Sequence, residues 1–205
     1  AATFLANNAY AGEAPVPFDQ YRRYMAAFEA AVPKRISPDD VAQAFSHLVL
    51  SPHVLTQLGP AVNSGHSLFL YGPPGNGKTV IGQAIRNLLK GDIWIPHAIE
   101  VEGAIIKVFD PINHEAFAPP TQGSGLEATN QYDRRWIRCR RPAVTVGGEL
   151  TLEALELIYN PGVGFYRAPM QLLANGGLLL IDDFGRQRCS PQALLNRWIH
   201  PLESR

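Results

Sequence analysis

The sequence predicts an α/β fold built on a parallel sheet, and three observations carry the prediction. A short apolar run, Leu68-Phe69-Leu70-Tyr71, leads into a glycine-rich turn from Gly72 to Thr79, which opens a helical stretch reaching about Leu89. A second apolar run, Leu178 to Ile181, ends in two acids, Asp182 and Asp183. Each run is too brief for a helix and suits a strand buried on both faces in a parallel sheet. Ahead of them, up to residue 58, apolar residues recur at helical spacing and predict a helical lead-in.

Composition bounds the alternatives. Apolar residues make up 46% of the 205 and charged residues 18%, a globular balance that excludes a disordered chain. The 18 basic and 18 acidic residues cancel, removing the broad attraction that a dedicated nucleic-acid binder uses. Two cysteines, Cys139 and Cys189, stand in no CxxC arrangement and suggest neither a disulfide framework nor a zinc site. No window approaches a membrane span and no signal sequence opens the chain, so the expected location is cytoplasmic. The chain starts at Ala1 and stops at Arg205 within a helical run from Pro191 to Leu202, and it reads as a fragment.

In the lead-in, Phe18, Tyr21, Met25, Phe28 and Val32 mark one face of a helix that Pro33 ends. Ser37-Pro38-Asp39-Asp40 announces a second helix with an N-cap serine, proline at the first position and an acid three residues on. Ser51-Pro52 repeats the signal. Beyond Gly91, short strands are expected from Ile93 to Phe109, with Glu102-Gly103 as a hairpin turn. The stretch from Asp110 to Pro142, rich in Pro, Gly, Asn, Thr and Arg, reads as loop or insertion. A hairpin around Asn160-Pro161-Gly162, a short helix at Met170 to Ala174 and the turn Asn175-Gly176-Gly177 precede the acidic strand. The division is therefore a helical segment over residues 1–58 and a core over 59–205, with an insertion at 110–142.

The turn satisfies G-x-x-x-x-G-K-[ST] between strand and helix, the context that gives the pattern a mechanism. Backbone N–H groups converge on phosphate oxygens only where side chains do not block them, and the next helix presents its positive dipole end. The expected nucleotide contacts are Gly72, Pro73, Pro74, Gly75, Asn76, Gly77, Lys78, Thr79 and Val80. Lys78 would bridge the β- and γ-phosphates of ATP, and the Thr79 hydroxyl would coordinate Mg²⁺, a hard ion that prefers oxygen. Asp182 would hold Mg²⁺ directly or through its water, and Asp183 would orient or deprotonate the attacking water. Lys78 and Asp183 are the catalytic candidates.

Through Leu70 to Thr79 and Leu180 to Asp183, the chain from about Gly59 onward resembles the AAA+ ATPases. The phrases Val108-Phe109-Asp110-Pro111 and Ile181 to Arg188 resemble, more narrowly, a bacterial group described as predicted ATPases with chaperone activity. The resemblance implies a P-loop core of three αβα layers, followed by a helical lid that lies outside this chain. It also implies a homo-oligomeric ring, commonly of six subunits, that remodels a macromolecular client, a protein before a nucleic acid. Most AAA+ members place Glu where this chain has Asp183. The shorter side chain moves the carboxylate by roughly 1.5 Å, and a misplacement of about 1 Å can cost on the order of 100-fold in rate.

Weaker patterns leave alternatives open. Arg134, Arg135, Arg138, Arg140 and Arg141 around Trp136 read as a solvated basic face, a contact to a neighbouring subunit, or a nucleic-acid patch. Arg186 and Arg188 suit either a subunit boundary or surface salt bridges. Residues Tyr159 to Phe165 read as a client-contacting loop or an ordinary hairpin, the former because Ala174-Asn175-Gly176-Gly177 is similar to the stretch that follows such a loop in enhancer-binding activators. The competing functions are a small-molecule P-loop kinase and an ATP-gated scaffold that hydrolyses weakly.

Overall fold

The computed structural model describes residues 9–32, 35–73, 75–118 and 132–203, with side chains through residue 198. Pro33 and Pro74 lie outside the described residues. In chain order the elements are β1 (Val16–Pro17), α1 (Phe18–Ala31), α2 (Pro38–Ala44), α3 (Pro52–Asn63), α4 (Lys78–Ile85, extended by a 3-10 turn over Arg86–Leu88), β2 (Asp92–Pro96), β3 (Ala98–Val101), β4 (Ala104–Lys107), β5 (Trp136–Arg140), β6 (Ala143–Val146), a 3-10 turn (Leu152–Leu155), β7 (Ile158–Asn160), β8 (Phe165–Arg167), α5 (Met170–Leu173), β9 (Leu178–Ile181) and α6 (Pro191–Glu203). Among the described residues no helix is long and apolar enough to cross a membrane. The fold is mixed α/β with parallel strand pairs. It separates into two compact units that interleave in sequence: residues 1–30, 91–144 and 153–178, and residues 31–90, 145–152 and 179–205.

The first unit holds a five-stranded sheet in the order β1-β3-β4-β8-β7 and the two-stranded pair β2-β5. Strands β1 and β3 run parallel, as do β4 and β8, while β3-β4 and β7-β8 are antiparallel hairpins. The turn between β3 and β4 takes left-handed angles at Glu102 and Gly103, φ 48° and 86°, matching the twist of the strands it joins. Helix α1 buries Tyr21 and packs Tyr24 at a tilt against Trp136 with ring centroids 4.8 Å apart. The Tyr24 hydroxyl accepts the Trp94 N–H at 2.7 Å, and Asn175 Nδ2 donates to the Tyr21 hydroxyl at 2.7 Å. Buried His114 ties two turns together. Its Nδ1 accepts the Asp110 N–H at 3.0 Å, so Nε2 carries the proton and donates to the Leu173 carbonyl at 2.8 Å.

The stretch expected to be loop or insertion contains β5, paired with β2 from Asp92↔Arg140 to Pro96↔Trp136. Arginines hide this strand in the sequence, because their charge masks the inward positions of Trp136 and Cys139. Burial pushes the Cys139 thiol up to about 12, so it acts as a small core residue.

In the second unit, Ser37 makes the expected capping box: its Oγ accepts the Asp40 N–H at 3.2 Å, and Asp40 Oδ2 accepts the Ser37 N–H at 2.8 Å. Ser51 caps α3 through the Val54 N–H. Val41, Phe45, Leu58, Ile81, Ala84, Ile85 and Leu88 form the core beneath α2, α3 and α4.

Two expectations for this unit need correction. Leu68 to Tyr71 is not a buried strand. It forms no regular element, and Leu68, Phe69 and Tyr71 are 41, 66 and 86% exposed. A strand is held by ladder hydrogen bonds to a neighbour, and no described strand pairs with this segment. Strand β9 forms as expected, but it is half-buried along its length and not covered on both faces. Among the described residues it pairs with β6. The Leu178 N–H reaches the Pro142 carbonyl and the Asp182 N–H the Val146 carbonyl, an offset kept in the same direction, so the two strands run parallel.

Candidate functional site

The glycine-rich turn opens α4 as the motif requires. Gly75 and Gly77 take φ 84° and 68°, in the region where a side chain is strained, and a Cβ on either would meet nothing within 4 Å. The glycines are therefore required by backbone angle and not by crowding. Gly77 is the N-cap residue and supplies no side-chain cap, leaving the first N–H groups of α4 for another acceptor. The Lys78 ammonium curls back over the turn and donates to the Gly72 carbonyl at 3.1 Å and the Pro73 carbonyl at 2.9 Å. Asn76, Thr79 and Val80 are exposed.

The acidic pair sits on a shaped turn. The Asp182 N–H continues the β6-β9 ladder to Val146 at 2.8 Å. Its carboxylate Oδ1 accepts the Asp183 N–H at 2.9 Å, and Asp183 is held at φ 51°. Aspartate tolerates this left-handed conformation better than most residues, at a cost that surrounding contacts must hold. Arg186 Nη1 stands 4.0 Å from Asp183 Oδ1, with both side chains largely exposed, so the pair contributes little to stability. Gln187 folds under the turn, its amide donating to the Asp182 and Asp183 carbonyls while its oxygen accepts the Gly185 N–H.

Two contacts bind the motifs into one unit. A Cβ on Gly82 would lie 2.9 Å from Leu180 Cδ1, so glycine lets α4 approach the acidic strand. At the other end Phe69, three residues before the turn, meets Phe184, next to Asp183, edge to face at 5.8 Å. Gly82 carries a legible signal, since glycine inside a helix costs about 1 kcal/mol and implies a packing reason. Gln187 stands inside the Ile181 to Arg188 phrase, but nothing in the sequence marks its role on the turn.

These residues fit a nucleotide with Mg²⁺. An uncapped helix start, a turn with open space above its glycines and an ammonium held by two carbonyls suit an anion. Thr79 and Asp182 offer the hard oxygen donors that Mg²⁺ takes in small number beside phosphates. Among the described residues no group of three or more His, Cys, Asp or Glu could hold a metal by itself.

Four arginines of the cluster around Trp136 find partners within the first unit. Arg135 grips Asp133 at 2.6 to 3.0 Å and reaches Gln20, Arg138 Nε donates to Asp92 at 2.9 Å, and Arg140 lies 3.8 Å from Glu115. Arg141 donates to the Gly176 carbonyl at 2.6 Å and covers the Phe28 ring. These contacts tie Arg135, Arg138, Arg140 and Arg141 to the fold of that unit. In the Tyr159 to Phe165 hairpin, Phe165 packs against Tyr10, whereas Ile158 and Tyr159 on the edge strand β7 are 43 and 51% exposed.

No curated protein matches the chain. Residues 49–111, under a third of the chain but including the whole of Gly72 to Thr79 and α4, are similar to a family described as Magnesium chelatase, subunit ChlI, of the AAA+ clade, which supports an ATP-binding domain at that level.

Proposed function

We propose that the chain binds ATP with Mg²⁺ at Gly72 to Thr79, hydrolyses it, and couples turnover in a homo-oligomeric ring to remodelling of a protein client in the cytoplasm. A three-layer αβα core is the architecture that goes with this reading. The observation that carries it is the pairing of an uncapped, glycine-built helix start bearing Lys78 with an acidic strand packed on that same helix through Gly82 and Leu180. The similarity of residues 49–111 to an AAA+ clade family supports the nucleotide and the magnesium ion.

In this reading the backbone of Gly75 to Thr79 orients the phosphates, and Lys78 leaves the Gly72 and Pro73 carbonyls to meet their charge. Thr79 and Asp182 would hold Mg²⁺, which supplies charge neutralisation at the transferring phosphoryl group. Asp183 orients or deprotonates the attacking water. A second reading, an ATP-gated scaffold that hydrolyses slowly, is favoured by Asp183 itself, a short carboxylate that stands beside Arg186. ATP turnover per subunit, followed against protein concentration, separates the two. The motor shows a rate that climbs as the ring assembles; tight ATP binding with a negligible, concentration-independent rate would leave the scaffold.

A further inference from the structure

We infer that Gln187 is the positioning residue of the acidic turn, fixing the two carboxylates for magnesium and water. The inference rests on the nucleotide reading above and concerns the same site. Its side-chain amide is fully used on three backbone groups of that turn: Nε2 donates to the Asp182 carbonyl at 2.8 Å and the Asp183 carbonyl at 2.9 Å, and Oε1 accepts the Gly185 N–H at 2.7 Å. Only an amide supplies this set, two donors and an acceptor on one planar group. The two carbonyls it holds flank the peptide whose φ of 51° at Asp183 is the one left-handed non-glycine angle of this unit among the described residues. A turn in a sparsely populated conformation persists only when its surroundings over-determine it, and Gln187 is the side chain that does so here.

The clamp has a rigid base. The residue after it, Arg188, donates its N–H to the Leu150 carbonyl at 3.1 Å, and Leu150 is 2% exposed. On the other side of Gln187, the Arg186 carbonyl lies against Gly148, where a Cβ would approach it to 3.3 Å. Gln187 is thus pinned at both flanks to the loop that follows β6, and it transfers that fixity to Asp182 and Asp183. It touches neither carboxylate, so its effect is on their placement. Outer partners that orient ligands cost about 10- to 100-fold in metal affinity or activity when removed.

Gln187→Glu and Gln187→Met test this. Glu keeps an acceptor for Gly185 but turns a second oxygen on two carbonyls, and Met keeps the length without any hydrogen bond. The probe is a fluorescent, non-hydrolysable ATP analogue titrated with Mg²⁺, alongside steady-state turnover and thermal melting. Both variants should bind the analogue without Mg²⁺ within about 2-fold of wild type, because the Lys78 turn is untouched. The Mg²⁺ concentration at half-effect should rise by about 10-fold or more, with Glu worse than Met, and kcat should fall while KM holds. Mg²⁺ dependence and kcat within about 2-fold of wild type in a folded variant overturn the inference, as does a loss of turnover that only follows lost melting temperature. If wild type binds the analogue and responds to Mg²⁺ but releases no phosphate, the hydrolysis reading fails while a shifted Mg²⁺ response still upholds Gln187. If wild type binds no analogue, both fall.

Discussion

Replacing Gly177 with alanine puts a methyl group where the entry to the acidic strand has no room. A Cβ at Gly177 would stand 2.0 Å from the Pro142 carbonyl oxygen and 2.9 Å from its carbon, both backbone atoms that cannot swing aside. Relief requires the two segments to part by at least about 1 Å, since contacts under 3.0 Å are not tolerated. That separation breaks the 2.9 Å bond from the Leu178 N–H to the same oxygen. The lost hydrogen bond costs about 1 kcal/mol and the residual strain about 1–3 kcal/mol. The total is about 2–4 kcal/mol, a fall in Tm of roughly 4–16 °C for a chain of this size. Gly82→Ala is the matched control. Its Cβ comes closest to the methyl ends of Leu180, which can rotate, and alanine regains about 1 kcal/mol of helix propensity. Urea titrations followed by circular dichroism should place Gly177→Ala well below wild type and Gly82→Ala within about 1 kcal/mol of it. Equal costs for the two, or a neutral Gly177→Ala, would refute the packing argument.

Two further outcomes are expected. The Lys90 ammonium, 2.6 Å away, is the main cause that lowers the Asp40 pKa from 3.8 to about 2, followed by hydrogen bonds from Ser37. Because the folded value is depressed, the stabilisation is present above the unfolded value and is lost as pH falls toward about 2. The stability gap between wild type and Lys90→Met should therefore close between pH 4 and pH 2, and a gap unchanged across that window in urea titrations would contradict the pairing. On the edge strand β7, Ile158→Ser with Tyr159→Ser should weaken binding of a denatured model protein while ATP turnover stays at the wild-type level. Undiminished binding would reject a client role for this hairpin.

The local grammar of the chain was legible wherever one residue type has one physical use. Ser37 and Ser51 announced their caps, Glu102-Gly103 and Asn160-Pro161-Gly162 their hairpins, and Gly72 to Thr79 the start of α4. What sequence could not supply is pairing at a distance. Strand β5 is hidden because Arg138 and Arg140 flank buried Cys139, and their charges are met by Asp92 and Glu115, far along the chain. The interleaving of two units depends on pairings that join separate stretches, β1 with β3 and β4 with β8. Apolarity alone makes Leu68 to Tyr71 resemble a buried strand, but burial also needs a neighbour on its edge. At the site, the motif residues were evident, while Gln187 acts through backbone carbonyls and leaves no spacing rule to find.

Phosphate release from ATP by the intact chain beside Lys78→Ala, with Mg²⁺ present and then chelated, tests the central claim most directly. Loss of the one ammonium that spans the turn should reduce turnover by about 100-fold or more and weaken nucleotide binding, leaving the fold intact. Chelation should silence the wild type to the same level. Turnover that survives in Lys78→Ala, or that ignores Mg²⁺, would place the nucleotide chemistry elsewhere and contradict the account.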